Sequence, residues 1–191
     1  MDTIVVEREF AQPVTVSDLH GLARALKWCT DLHRVAPTRW RYLAADGRRC
    51  ACVYTAPDLE AVRLVLRSST SGPPKRLWTT RTYETSPGEE PKIPDGYSLV
   101  LVERALPEPI RFEDIPDIAA RCAGCFEIHR IRFIRCHLAM DSLRMLCLYV
   151  APDLEAVRNG NKRAGLPVDT LWAANLVPPV VYDAPALESA S

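Results

Sequence analysis

Hydrophobic and polar positions follow two periods along this chain, and the same succession of periods occurs twice. Ile4–Phe10 and Ser98–Leu106 are apolar and rich in strand-forming residues, so each predicts a β-strand. An apolar stripe at helical spacing comes next: Leu19, Leu22, Ala23, Leu26, Cys29, Leu32 and Val35, then Ile115, Ile118, Ala119, Cys122, Cys125, Ile128 and Ile131. Each position of one stripe meets its counterpart 96 residues later, which predicts a helix with one buried face in both places. Ser17 is placed to cap the first of these helices. Two strands follow, over Trp40–Ala44 and Arg49–Thr55, with Asp46-Gly47 as a hairpin signal between them and Asp141-Ser142 at the corresponding place. Second helices are expected to open at Pro57-Asp58 and Pro152-Asp153, where Asp caps and Glu60 or Glu155 sits in the first turn, favoured by the helix dipole. A final strand contains Trp78 or Trp172.

The recurrence extends to identity. Val53–Arg63 returns as Leu148–Arg158 with nine of eleven residues unchanged. Val6-Glu7-Arg8 returns as Val102-Glu103-Arg104, Asp31–Val35 as Glu127–Ile131, and Leu77-Trp78 as Leu171-Trp172. The chain therefore divides into a first unit over 1–84, a Pro-, Gly- and charge-rich linker over 85–96, a second unit over 97–183 and a tail over 184–191 expected to be disordered.

The order β-α-β-β-α-β predicts an α+β fold of ferredoxin-like units. Such a unit packs both helices on one face of a four-stranded sheet and leaves the other face bare. The third strand places Cys50, Cys52 and Tyr54 on one side and Ala51 and Val53 on the other; its copy sets Met145, Cys147 and Tyr149 against Leu146 and Leu148. Both faces are apolar, so both need cover. The economical solution joins the two sheets of one chain as a dimeric α+β barrel, a pseudo-dimer, with a small cavity expected between the sheets.

Composition narrows the function classes. Of the 191 residues, 48% are hydrophobic, enough for a core. The longest apolar runs fall short of a membrane span, so no membrane partner is expected. Twenty-four basic and 24 acidic side chains cancel, which argues against a nucleic-acid footprint. Seven cysteines, an odd number set mostly in apolar stretches, and an N-terminus without a leader pattern point to reduced thiols in the cytoplasm. Nucleotide-binding loops, zinc-protease and serine-hydrolase signatures are not found in the sequence.

Several residue sets could carry chemistry. Cys29 and His33, and likewise Cys125 and His129, stand four apart on a helix and could share a metal ion, or act as nucleophile and base. Both cysteines belong to the apolar stripe, which favours core cysteines flanked by surface histidines. Cys122-Ala-Gly-Cys125 is formally a C-x-x-C within a helical pattern. Glu7 and Glu103 lie beside Arg8 and Arg104 on strands, so one member of each pair must point toward a buried face, as a structural ion pair or as an acid–base group. Trp40 and Tyr42 correspond to Arg135 and His137, giving a cavity with chemically unequal walls in which His137 could titrate as base, acid or ligand. Cys52, Tyr54, Cys147 and Tyr149 are further expected cavity-lining residues.

The Val-Glu-Arg strands, the blocks Cys52–Arg63 and Cys147–Arg158, and Ala164-Gly165-Leu166-Pro167-Val168-Asp169 together resemble a family of small bacterial ferredoxin-like domains of unknown function, whose known example is a nickel-responsive, nickel-binding dimeric protein. The resemblance covers most of both units. It implies the barrel and, as cofactor, nickel or another divalent transition metal. At places where family members often carry histidine, this chain has Trp40, Arg135 and Leu166. The expected function is binding of a small molecule or transition metal by a monomeric pseudo-dimer or weak homodimer. The alternatives are a cofactor-independent cyclase, isomerase or oxygenase with His137 as base assisted by Glu103 or Glu7, and a structural or partner-binding module.

Overall fold

Each half of the molecule runs strand, helix, strand, strand, helix, strand, and the computed structural model describes residues 1–69 and 72–180. The first half comprises β1 (Asp2–Glu9), α1 (Val16–Ala25), α2 (Lys27–Leu32), β2 (Ala36–Ala44), β3 (Arg49–Ala56), α3 (Leu59–Arg67) and β4 (Arg76–Glu84). The second comprises β5 (Ser98–Ala105), a 3-10 turn at Phe112–Asp114, α4 (Ile115–Ile128), β6 (Arg132–Ala139), β7 (Arg144–Ala151), α5 (Leu154–Arg163) and β8 (Thr170–Leu176). The tail expected over 184–191 lies outside the described residues. No helix among the described residues is long and apolar enough to cross a membrane.

All strand pairs are antiparallel. The orders β4-β1-β3-β2 and β8-β5-β7-β6 join through β2–β8 and β4–β6, which closes the eight strands into one α+β barrel. Register decides what faces inward. Val5 lies opposite Val53 and Trp78, and Leu101 opposite Leu148 and Trp172. These residues, with Trp40 and Tyr42, form the interior cluster. Their strand neighbours Ile4, Val6, Val100 and Val102 pack under the helices instead. Eight strands leave an interior just wide enough for side chains to fill, and three tryptophans and a tyrosine occupy it. Two cavities lie on the other faces, between each sheet and its helices.

Helix ends depart from the periodicity in two ways. Thr15 rather than Ser17 caps α1, because Thr15 and Asp18 satisfy each other's backbone N–H groups, at 3.2 Å and 2.7 Å, in a reciprocal box that Ser17 and His20 cannot make. The first stripe is also shared between two helices that meet at Leu26. His33 and His129 then take the C-cap positions of α2 and α4, and Arg34 and Arg130 follow in the left-handed region at φ 54° and 55°. The Val35 and Ile131 amides return to the Thr30 and Phe126 carbonyls, ending each helix in a Schellman-type turn. Val35 and Ile131 are buried beyond the helix end, whereas Leu32 and Ile128 turn out to solvent at 59% and 62% exposure.

The β2–β3 and β6–β7 hairpins are built alike. Gly47 and Ser142 donate to the Ala44 and Ala139 carbonyls, and the Asp46 and Asp141 carboxylates accept the Arg48 and Leu143 amides. Both turn residues have positive φ, 69° at Gly47 and 60° at Ser142. A Cβ at Gly47 would lie 2.6 Å from the Val14 carbonyl oxygen, which belongs to backbone and cannot swing aside. Gly47→Ala should therefore lower unfolding stability by more than about 1 kcal/mol. Ser142→Gly should leave it within about 1 kcal/mol of wild type, since relief of the left-handed strain is offset by greater freedom of the unfolded chain. Urea midpoints of the two variants check both expectations.

Candidate functional site

Strand alternation divides the polar residues of the barrel between two environments. Glu7 and Glu103 point inward and Arg8 and Arg104 point toward the helices, which resolves the Glu–Arg alternative. Glu7 accepts the Trp78 indole N–H at 2.8 Å and Glu103 that of Trp172 at 3.0 Å, a near-symmetric pair of contacts. One Arg76 guanidinium bridges both carboxylates, at 3.3 Å and 3.1 Å. Burial pushes the Glu7 carboxyl above the ordinary range, against the Trp78 hydrogen bond, and the neighbouring Glu103 pushes in the same direction. This group ties β1, β4, β5 and β8 together at the barrel interior.

A second interior group lies on β2, β4 and β6. Arg135 stacks over the Trp40 ring and pairs with Glu84 at 2.9 Å. Its position beside Tyr42 opposes the rise that burial imposes on the Tyr42 phenol. His137 shares a 2.8 Å hydrogen bond between Nδ1 and Thr82 Oγ1, while His137 Nε2 and the Tyr42 hydroxyl have no hydrogen-bond partner among the described residues. Trp40, Tyr42, Arg135 and His137 are thus brought together as expected, but as packed residues. Burial, with the Arg135 charge, pushes the His137 pKa down to about 3, so the ring is neutral near pH 7 and a weak base there. Glu7 and Glu103 belong to the Arg76 group instead and make no hydrogen bond to His137.

The helix-facing side holds the remaining expected ligand residues. Cys52, Tyr54, Cys147 and Tyr149 line cavities beneath the helices and do not face the barrel interior. Both faces of β3 and β7 are apolar, so polarity alone could not say which one turns inward. The first-half cavity, about 60 Å³, is lined by Arg8, Arg41, Cys50, Cys52 and Tyr54 together with aliphatic residues of α1–α3. Val177 enters its wall, and the Pro178 carbonyl accepts from Arg41 at 2.6 Å and contacts the His20 ring nitrogen at 3.0 Å, so the segment after β8 straps this cavity. The second-half cavity, about 90 Å³, is lined by Arg104, Cys122, Cys147 and Tyr149 among apolar residues that include Ile115, Phe126 and Met145.

Arg104 is 3% exposed and donates to the Tyr149 hydroxyl at 2.8 Å and to Asn161 Oδ1 at 2.9 Å. Asn161 is held in turn by its own amide bond to the Val157 carbonyl at 2.8 Å. Among the described residues no carboxylate pairs with Arg104, and its Nε has no hydrogen-bond partner. The Cys147 thiol is a further ionisable group acting on Arg104. Cys147 is pulled down to about 7 by a hydrogen bond from Cys136 and by the Arg104 charge, against its own burial. Cys136 is pushed up in exchange. The sequence marks Arg104 only as the neighbour of Glu103 in the repeated Val-Glu-Arg motif, and it gives no such signal for Asn161 or Cys136.

Cys29 with His33 and Cys125 with His129 sit at helix C-termini in different halves. Cys29 packs against the first-half core, and the two histidines cap their helices. No three His, Cys, Asp or Glu side chains among the described residues converge as a metal-binding group.

The neutral state of buried His137 has a measurable consequence. Unfolded, the imidazole takes up a proton below about pH 6.5; folded, it does so only near 3. The unfolded state therefore binds more protons in that window, and stability falls as pH falls. By pH 5 the loss amounts to about 2 kcal/mol. In His137→Asn this component should vanish, giving a flatter dependence of Tm on pH between 7 and 4 whatever the variant's absolute stability. Parallel curves would show that His137 is not held neutral.

Comparison with known proteins bears on the resemblance through a family match in the second half. No curated protein matches the chain. Among solved structures, the chain is similar to chlorite dismutase from Candidatus Nitrospira defluvii in complex with imidazole, at 12% identity and a TM-score of 0.46 over 92% of each chain. It is also similar to a monooxygenase candidate from Lactobacillus acidophilus, at 9% identity and a TM-score of 0.40 over 92% of this chain and 94% of that one. The second half of the chain, over residues 101–173, matches the family described as "Nickel responsive protein SCO4226-like", the resemblance carried by its Val102–Arg104 and Cys147–Arg158 motifs.

Proposed function

We propose that this protein binds a small, largely apolar molecule bearing an anionic group, in the cavity between the second-half sheet and its helices. The observation that carries this reading is Arg104: a buried guanidinium at the wall of an apolar cavity, with neutral hydrogen-bond acceptors but, among the described residues, no carboxylate. A buried charge is costly unless paired, and an entering anion would pair it. Tyr149 and Asn161 hold the guanidinium in place, and Ile115, Phe126 and Met145 offer apolar contact to the rest of the ligand. The first-half cavity is the poorer candidate, because the Val177–Pro178 strap enters it and the Gly72 and Pro178 carbonyls accept from Arg8 and Arg41. The seven unpaired thiols fit a cytoplasmic setting.

The description of the matching family raises nickel as another occupant. The donors among the described residues do not fit a transition-metal centre, since the two Cys–His pairs stand at separate helix ends and no third His, Cys, Asp or Glu there joins either. The neutral His137 and the two buried glutamates belong to separate groups inside the barrel, so they do not form one acid–base set.

Calorimetry with hexanoate, 1-hexanol and nickel(II) tests the reading. Hexanoate should bind and 1-hexanol should not, and Arg104→Met should weaken hexanoate at least about tenfold, as expected when one charged hydrogen bond is lost. Equal behaviour of the acid and the alcohol, or no binding of hexanoate, overturns the proposal. Nickel binding that a chelator reverses, with hexanoate silent, would favour the metal.

A further inference from the structure

The thiols beneath the second-half helices are arranged differently from those in the first half. Cys136 on β6 lies directly opposite Cys147 on β7. Opposed residues of antiparallel strands have Cα atoms about 4.5–5.5 Å apart, within the span of about 4.4–6.8 Å that a disulfide accepts. In the first half the two thiols, Cys50 and Cys52, are successive same-face residues of one strand. Their Cα atoms are about 6.6–6.8 Å apart, at the far limit of that span. Arg41 occupies the place opposite Cys52 where Cys136 would stand.

We propose that Cys147 and Cys136 form a peroxide-oxidisable dithiol, with Cys147 as the attacking thiol and Cys136 as the resolving one. Cys147 lines the second-half cavity, whereas Cys136 is fully buried behind it, so a small neutral oxidant entering the cavity meets Cys147 first. Arg104 lines the same cavity and stabilises a thiolate there. The Cys147 thiolate attacks one oxygen of hydrogen peroxide, breaking the O–O bond and leaving Cys147 sulfenic acid and hydroxide. Cys136 then loses its proton as its sulfur attacks the sulfenic sulfur. The S–S bond forms and water leaves, so two electrons pass in all from the thiols to peroxide. A small thiol returns the pair to the reduced state by exchange, itself becoming a disulfide. The remaining nearby thiol, Cys122, is on a helix, and burial pushes it up, away from the thiolate form.

The sequence makes the test direct. Trypsin separates Cys136 and Cys147 into peptides 136–144 and 145–158, while Cys122 and Cys125 share peptide 122–130 and Cys50 and Cys52 share 50–63. The purified full-length protein is treated with a small excess of hydrogen peroxide at pH 7, alkylated and digested. The expected result is a linked pair 136–144 to 145–158, lost on reduction, with peptide 50–63 still carrying two alkyl groups. In Cys136→Ser, Cys147 should instead be trapped as a sulfenic acid by dimedone. Arg104→Met should slow oxidation, because it removes one of the two influences that favour the Cys147 thiolate while the Cys136 hydrogen bond stays in place. Full alkylation of both second-half peptides after peroxide, or a link through Cys122, overturns the proposal in the unaltered protein without recourse to a variant. Because the readout is covalent, this outcome is independent of whether hexanoate binds.

Discussion

The structure depends on the pairing of β2 with β8 and of β4 with β6. Each half alone is a four-stranded sheet with helices on one face, an apolar opposite face and two open edges. Open edges and a bare apolar face both invite association with other chains. The two cross-half pairings remove both liabilities at once: they close the hydrogen-bond ladder around the barrel and bury the bare faces as its interior. A second copy on the same chain supplies the partner at fixed concentration, so closure needs no subunit encounter.

Closure also explains where polar chemistry sits. An eight-stranded interior is narrow, and here Trp40, Tyr42, Trp78 and Trp172 fill it. The charges that remain inside are neutralised or tied down: Glu7 and Glu103 by indoles and Arg76, and Arg135 by Glu84 and the Trp40 ring. Space is left instead under the helices, where Arg8, Cys52 and Tyr54 in one half answer Arg104, Cys147 and Tyr149 in the other. The halves have diverged around this shared trio. The first sets Arg41 and Leu66 about it and straps the cavity with Val177–Pro178, while the second sets Cys136 and Asn161 there and leaves Arg104 with neutral acceptors.

Much of the candidate site was legible as a list of residues, and little of it as a set of contacts. The Cys-x-Tyr and Val-Glu-Arg motifs were visible, yet their joint location was not, because strands apolar on both sides give no polarity signal for inside and outside. The Cys-x-x-x-His spacing suggested a metal pair; in the fold it marks a helix ending, with histidine at the cap, a left-handed arginine next and a buried aliphatic after it. His137 looked like a neutral-pH base by residue type. Burial beside Arg135, a property of packing, removes that role.

By itself the sequence determined the number, order and type of the elements, since period-2 and period-3.6 patterns are local properties of adjacent residues. It also determined that two like sheets must cover each other, because each carries an apolar face with no helix for it. Only the tertiary structure decided which face became the barrel interior, which of Glu7 and Arg8 turned inward, and that Cys136 would stand opposite Cys147. Those choices follow from strand register and ring closure, in which a shift of one residue exchanges every side chain between the two faces.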